Sequence, residues 1–364
     1  MRNLFIVNTP LHLFTAYIIA NYYTHGQNNM LVLINPKAYS SWENSRCLAK
    51  MASDDTTWSS ILLGTKDYLR QRVKEHGVLK VFGELRKTVN AAGKVDQVYL
   101  ASDKVIANQV LVEMSGNTTY IRFDEGTASY VLQPRRWKTQ IAEYLGVQIL
   151  RLLAGLHSGM EYNFKGIGQG KAGTADYLFK PWMLERSSPN PVAIERDAIM
   201  RALDKLAPAM EEYQLLMQDP VILYLGSYQA EFGGVDPVQE IELLKKLSSF
   251  AKSIHCKLLY KPHPGERQDK LKSYQEQLAD IDFFHSVEPM EIILYRHSNI
   301  RALVTAVSSS AMLYADLFAK QEMRSLSAAN LLGWTPKPID FLIKKSGVHT
   351  PETFEELQRY LSPQ

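Results

Sequence analysis

Cysteine is nearly missing from this chain. Cys47 and Cys256 are two among 364 residues and stand far apart, which excludes a disulfide framework and a thiolate-based metal centre and fits a reducing compartment. No window holds about 18 uninterrupted apolar residues, so no membrane-spanning helix is expected. The opening run, Met1-Arg2-Asn3-Leu4-Phe5-Ile6-Val7-Asn8, lacks the apolar stretch of a signal peptide. A charge excess is also missing: 41 Lys and Arg against 38 Asp and Glu leave +3, too little to imply a nucleic-acid partner. His12, His25, His157, His285 and His297 stand at no ligand spacing with other donors, so neither a metal nor another cofactor is expected. The chain shows no internal repeat and no low-complexity tract. These absences point to a cytoplasmic globular protein.

What is present is a rhythm of short apolar runs and helical patterns. Leu4–Val7, Met30–Ile34, Ser60–Leu63, Val95–Ala101 and Thr118–Phe123 read as buried parallel strands, with amphipathic stretches between them. Thr9 and Pro10 are suited to cap and open the first helix. The pattern returns at Val221–Leu225, Leu258–Tyr260, Ile281–Phe284 and Leu303–Val307. The fold class expected is α/β, with parallel sheets. Single cores stop growing near about 250–300 residues, so two domains are expected. Ser187-Ser188-Pro189-Asn190-Pro191 is the best linker. It divides the chain into 1–190 and 191–349, with a helix over 193–217 opening the second part. A capped C-terminal helix over 350–364 is expected to pack back on the first domain.

Candidate chemistry lies on loops at the carboxyl ends of these strands, where open α/β sheets bind ligands. In Lys261-Pro262-His263-Pro264, two prolines stiffen the loop that carries His263. Gly226-Ser227 follows another strand, and a third loop leads to Glu291. Ser308-Ser309-Ser310 precedes a helix, where hydroxyls and backbone N–H groups can cradle an anion or simply cap. Asp124-Glu125-Gly126 offers paired carboxylates beside a glycine that lets the chain turn, as a general base requires. Gly168-Gln169-Gly170-Lys171-Ala172-Gly173 fits G-x-G-x-x-G but lacks the strand and helix around it, and reads as a flexible loop. Asp280-Ile281-Asp282, the single D-x-D, stands before a strand and reads as a connection. Arg135, Arg136 and Lys138 precede an amphipathic run ending at Leu156. That run reads either as a packed helix with a basic edge or as a helix docking on an anionic lipid surface.

Phe123-Asp124-Glu125-Gly126-Thr127, Tyr224-Leu225-Gly226-Ser227, Pro262-His263-Pro264 and Ser309-Ser310-Ala311 resemble, in this order, motifs of bacterial sialyltransferases of the lipooligosaccharide and capsular families. Pro289-Met290-Glu291 is similar to a segment of a related bacterial sialyltransferase family, and Asn8-Thr9-Pro10 resembles the start of the capsular members. The resemblance implies a GT-B fold, with two Rossmann-like domains facing each other across a cleft. It implies inverting, metal-independent transfer of sialic acid from CMP-sialic acid to a sugar hydroxyl, expected to be a terminal galactose of a lipooligosaccharide or capsular glycan. On this reading His263 would donate to the departing phosphate. Gly226, Ser227, Pro264, Ser308, Ser309 and Ser310 would line the donor, and Glu291 would hold its ribose. Asn8, Thr9, Pro10 and Gly126 would lie on the acceptor side. The base is open between Asp124, Glu125 and Glu231, because Gln229 occupies the position of the lipooligosaccharide enzymes' aspartate. The partners expected are a nucleotide-sugar donor and a glycan or glycolipid acceptor, with 135–156 touching the inner face of the cytoplasmic membrane. A CDP-polyol phosphotransferase and a UDP-sugar epimerase of the same architecture are the alternative readings.

Overall fold

The computed structural model describes residues 1–24, 27–33, 45–63, 80, 86–87, 89, 93–132, 137–156, 159–210, 212–216, 219–227, 235–263, 265–286, 288–307, 309–333 and 338–362. The chain divides into two compact units, Met1–Ala209 and Met210–Gln364. No helix among the described residues is long and apolar enough to cross a membrane.

The first unit runs β1 (Arg2–Val7), α1 (Pro10–Tyr22), β2 (Asn28–Leu33), α2 (Arg46–Ser53), β3 (Ser60–Leu63), β4 (Gln97–Leu100), α3 (Ile106–Met114), β5 (Tyr120–Phe123), α4 (Trp137–Ala154), β6 (Gly173–Leu178), β7 (Pro191–Ala193) and α5 (Arg196–Leu206). Its parallel sheet has the order β3-β2-β1-β4-β5-β6-β7. The central strand β1 is apolar and buried from Leu4 to Val7, as a strand covered on both faces must be. Thr9 caps α1 by accepting from the His12 N–H at 3.2 Å, and Pro10 opens it. The order reverses between β1 and β4, which makes their carboxyl ends the switch point of this unit.

Two expectations fail here. The glycine stretch before β6 is packed rather than flexible. Gly168 N–H donates to Asp103 at 2.7 Å, and a Cβ on Gly170 would stand 2.6 Å from the Tyr120 hydroxyl. The linker at 187–191 also fails, because Pro191–Ala193 is the edge strand beside β6. Helix α5 then packs on α1 and α2, with Lys205 2.8 Å from Asp54. The domain boundary therefore falls at 209/210 rather than 190/191, and the helix expected over 193–217 ends at Leu206.

The second unit runs β8 (Val221–Leu225), α6 (Pro237–Ser253), β9 (Lys257–Lys261), α7 (Gln268–Gln277), β10 (Asp282–Phe283), α8 (Met290–Arg296), β11 (Ile300–Thr305), α9 (Ser310–Phe318), β12 (Arg324–Ser327), α10 (Pro338–Ser346) and α11 (Phe354–Leu361). The parallel order is β10-β9-β8-β11-β12, with the reversal between β8 and β11. Asp280 pairs with Lys252 at 3.0 Å on the surface, so the D-x-D is a helix–strand connection. The C-terminal helix belongs to the second unit. Leu357 and Leu361 of α11 enter the second unit's own core, and Arg324 donates to the Tyr360 carbonyl at 2.7 Å.

Candidate active site

In the second unit the loops after β8, β9 and β11 leave the same edge of the sheet. The β8 and β9 loops are tied directly. Gly226 N–H donates to the Lys261 carbonyl at 2.9 Å. Glu266 accepts the His263 N–H at 2.8 Å, the Tyr260 hydroxyl at 2.8 Å and the Lys270 ammonium at 2.6 Å. Lys270 also donates to the Ser227 carbonyl at 3.3 Å and lies 3.4 Å from Glu240. Glu240 in turn accepts the Tyr224 and Tyr274 hydroxyls at 2.8 and 2.6 Å. Two of the motifs read from the sequence, Gly226-Ser227 and the histidine loop, are thus one construction over a buried polar hub. Sequence reasoning missed the hub, although Glu266 sits three residues past His263.

Gly226 is a glycine for a reason visible here. A Cβ at this position would strike the Glu266 carboxylate and come 2.6 Å from the Tyr260 hydroxyl. Both groups are fixed by their own hydrogen bonds, so the clash has no cheap relief. Gly226→Ala is expected to lower stability by about 1–3 kcal/mol, measured by urea unfolding of both proteins.

His263 is exposed. Its Nδ1 accepts the Gly265 N–H at 2.9 Å, which engages that lone pair and leaves the neutral ring's proton on Nε2. Lys261, the last residue of β9 and two before His263, is buried. Burial pushes its ammonium down to about 8, while the Glu291 carboxylate pulls the other way. Glu291 itself is buried on α8, which packs against α9. Lys261 was not read from the sequence as a site residue, and its place beside Glu291 makes it one here. At the start of α9, Ser309 stands at the N-cap with extended backbone and makes no side-chain capping bond among the described residues. The capping role that competes with an anion cradle is therefore not taken up by that hydroxyl. Ser308, Pro264, Gln229 and Glu231 lie outside the described residues.

In the first unit the paired carboxylates divide their labour. Asp124 is fully buried. One oxygen accepts the Gly126 N–H at 2.7 Å, and the other accepts the Phe179 N–H at 3.1 Å and the Tyr130 hydroxyl. It is spent on shaping the turn, in which Gly126 takes φ +100°. Glu125 differs. Its Oε2 is buried without a hydrogen-bond partner among the described residues. Burial, opposed by a hydrogen bond from Ser102, pushes its carboxyl up to about 7. Ser102 also accepts, through its carbonyl, the Asn108 amide at 2.9 Å, and Asn108 pairs with Asn8 through bonds of 3.0 and 3.3 Å. Asn8 and Glu125 are so connected at the β1–β4 switch point. Thr9 and Pro10 serve the start of α1.

A cavity of about 1090 Å³ opens elsewhere in the second unit, lined by Pro220, Asn299, Arg301, Arg324 and His349. It sits at the amino ends of β8 and β11, the wrong edge of the sheet for the donor loops.

A profile of the alpha-2,8-polysialyltransferase (POLYST) family matches residues 3–323. The chain belongs to this family. A search of curated protein sequences returns no match. Among solved structures, this polysialyltransferase-family chain is similar to UDP-GlcNAc 2-epimerase from Methanocaldococcus jannaschii, at 12% identity over 99% of this chain and 92% of that one, with TM-score 0.57. It is also similar to UDP-GlcNAc 2-epimerase from Neisseria meningitidis bound to UDP-GlcNAc, at 12% identity over 99% and 89%, with TM-score 0.53. At such identity the likeness is one of fold, the GT-B class of paired Rossmann-like units. The family makes the chain a glycosyltransferase of the sialyltransferase type.

Proposed function

We propose that this enzyme moves sialic acid from CMP-sialic acid to a glycan hydroxyl, inverting the anomeric carbon without a metal ion. The observation that carries this reading is the Glu125 carboxyl in a chain of this family: its Oε2 is buried without a hydrogen-bond partner among the described residues, and burial holds the group near neutrality. Glu125 takes the proton of the acceptor hydroxyl, whose oxygen attacks the anomeric carbon as the bond to the CMP phosphate breaks. The leaving phosphate gains negative charge. His263 Nε2–H and the Ser309, Ser310 and backbone N–H donors at the start of α9 are suited to stabilise it. Glu291 with Lys261 serves the nucleotide's ribose end.

His263→Ala is expected to lower kcat by about 10²–10⁴-fold, measured as CMP release at saturating donor; turnover equal to the wild type would remove the histidine from the mechanism. The family description favours a sialic-acid-terminated acceptor over the galactose that the sequence motifs suggest. Incubation of CMP-sialic acid with both acceptors, with the linkage read by NMR, decides between them. The likeness to the two epimerases supports one other reading, a UDP-sugar epimerase. Turnover of UDP-GlcNAc with no acceptor present, and none of CMP-sialic acid or CDP-glycerol, would put that reading first.

A further inference from the structure

Helix α4 turns an apolar face to solvent. Trp137, Ile141, Tyr144, Leu145, Ile149 and Leu152 are 49–73% exposed, and their spacing puts all six on one side of the helix. Single exposed apolar residues need no explanation, whereas a contiguous stripe of this kind does. The other side of α4 is anchored to its own unit. Val147 is buried there, and Arg151 pairs with Glu113 at 2.9 Å and lies over the Tyr162 ring. The stripe is therefore held in place, and at roughly 1.5 Å per residue its 18-residue helix is about 27 Å long.

Basic residues stand at both ends. At the amino end Lys138 holds its ammonium 5.7 Å from the Trp137 ring centroid; Arg135 and Arg136 precede it in sequence and lie outside the described residues. At the carboxyl end, Arg86 donates to the Gly155 carbonyl at 3.5 Å, with exposed Lys87 next to it. Glu143 is the one acidic residue within α4. This charge pattern decides the occupant. If a second copy covered the stripe, twofold symmetry would bring a basic end of α4 against a basic end of its mate, whether the helices ran parallel or antiparallel. An anionic lipid surface complements both ends at once, and tryptophan and tyrosine suit the headgroup boundary.

We propose that α4 lies in the surface of an anionic bilayer with the Trp137–Leu152 stripe immersed. The inference does not use the transfer reaction, and its test needs neither donor nor acceptor. The full chain is floated with vesicles of phosphatidylcholine alone or mixed with phosphatidylglycerol. It is expected to float with the anionic vesicles only and to be released at high salt, because the basic ends are screened. Leu145→Glu/Ile149→Glu is expected to cut the bound fraction by about 10-fold or more with an unchanged melting temperature, since both side chains are exposed. Brominated lipid is expected to quench tryptophan fluorescence in the wild type and less in Trp137→Phe. Three results would overturn the proposal: no flotation of the wild type, flotation of the double variant at the wild-type level, or a dimer by light scattering that the double variant splits.

Discussion

Glu125→Gln is expected to lower kcat by about 10²–10⁴-fold, the usual size of a general-base contribution, and at the same time to stabilise the protein above neutral pH. The two effects share one cause. Burial is the largest influence on this carboxyl and raises it from its ordinary 4.5 to about 7; the neighbouring Asp103 and Asp124 add to the rise, and Lys104 and the Ser102 hydrogen bond oppose it. The folded protein thus holds this proton more tightly than the unfolded chain does. The stability so contributed is fully present below about pH 4.5 and is lost as pH rises through about 7. An amide in the same place never ionises. The variant should therefore exceed the wild type by on the order of 2 kcal/mol at pH 8 and match it at pH 4. Catalysis has the opposite pH dependence, because the base works only when ionised. Wild-type kcat should climb with pH and level off above about 7.

Melting curves at both pH values and a pH–rate profile check these expectations together. A purely structural glutamate would give a destabilised Glu125→Gln with no change in profile shape. Asp124→Asn supplies the contrast. Its new amide NH2 would face the N–H groups of Gly126 or Phe179, so stability should fall by about 1–3 kcal/mol at all pH values where the wild-type aspartate is ionised.

The parts of the fold that the sequence disclosed are those whose signal is local. Leu4–Val7 and Val221–Leu225 are unbroken apolar runs, and a doubly covered parallel strand needs nothing else. Thr9-Pro10 announced α1 because the cap and the first helical residue are neighbours in the chain. Strands β6, β7 and β12 were not legible. In Gly173–Leu178 the buried Asp176 reads as a loop residue until Arg122, 54 residues before, is seen on both its oxygens and Arg186, 10 after, on Oδ2. Arg324–Ser327 reads the same way until Arg324 is seen bound to the Tyr360 carbonyl. The candidate site divides along the same line. The loops were found because strand ends and prolines are local features. Which carboxylate is spent was not, because Asp124 is claimed by Phe179, 55 residues away, and nothing in Asp-Glu-Gly foretells that.

Lys270→Met is expected to cost about 3–5 kcal/mol of stability, the penalty for leaving buried charge without its partner. The lysine side chain is 8% exposed, and the Glu240 and Glu266 side chains it serves are 0% exposed. Three tyrosine hydroxyls donate to these carboxylates, but they offset only part of two negative charges, and among the described residues the ammonium is the one cation reaching both. A methionine fills the same volume and supplies no charge, so the loss reads the electrostatics rather than a cavity. Lys270→Met/Glu240→Gln removes one charge of each sign and should recover more than half of the loss, a coupling that additive contributions would not give. Urea unfolding of the four proteins measures it, and additivity within about 0.5 kcal/mol would refute the shared-charge account. The same substitution reaches the proposed chemistry at one remove. Glu266 holds the His263 N–H and Lys270 holds the Ser227 carbonyl. Losing the tie to Ser227 should raise KM for the donor in the Lys270→Met protein, and the double variant, which also lacks the ammonium on Ser227, should regain stability without regaining donor affinity.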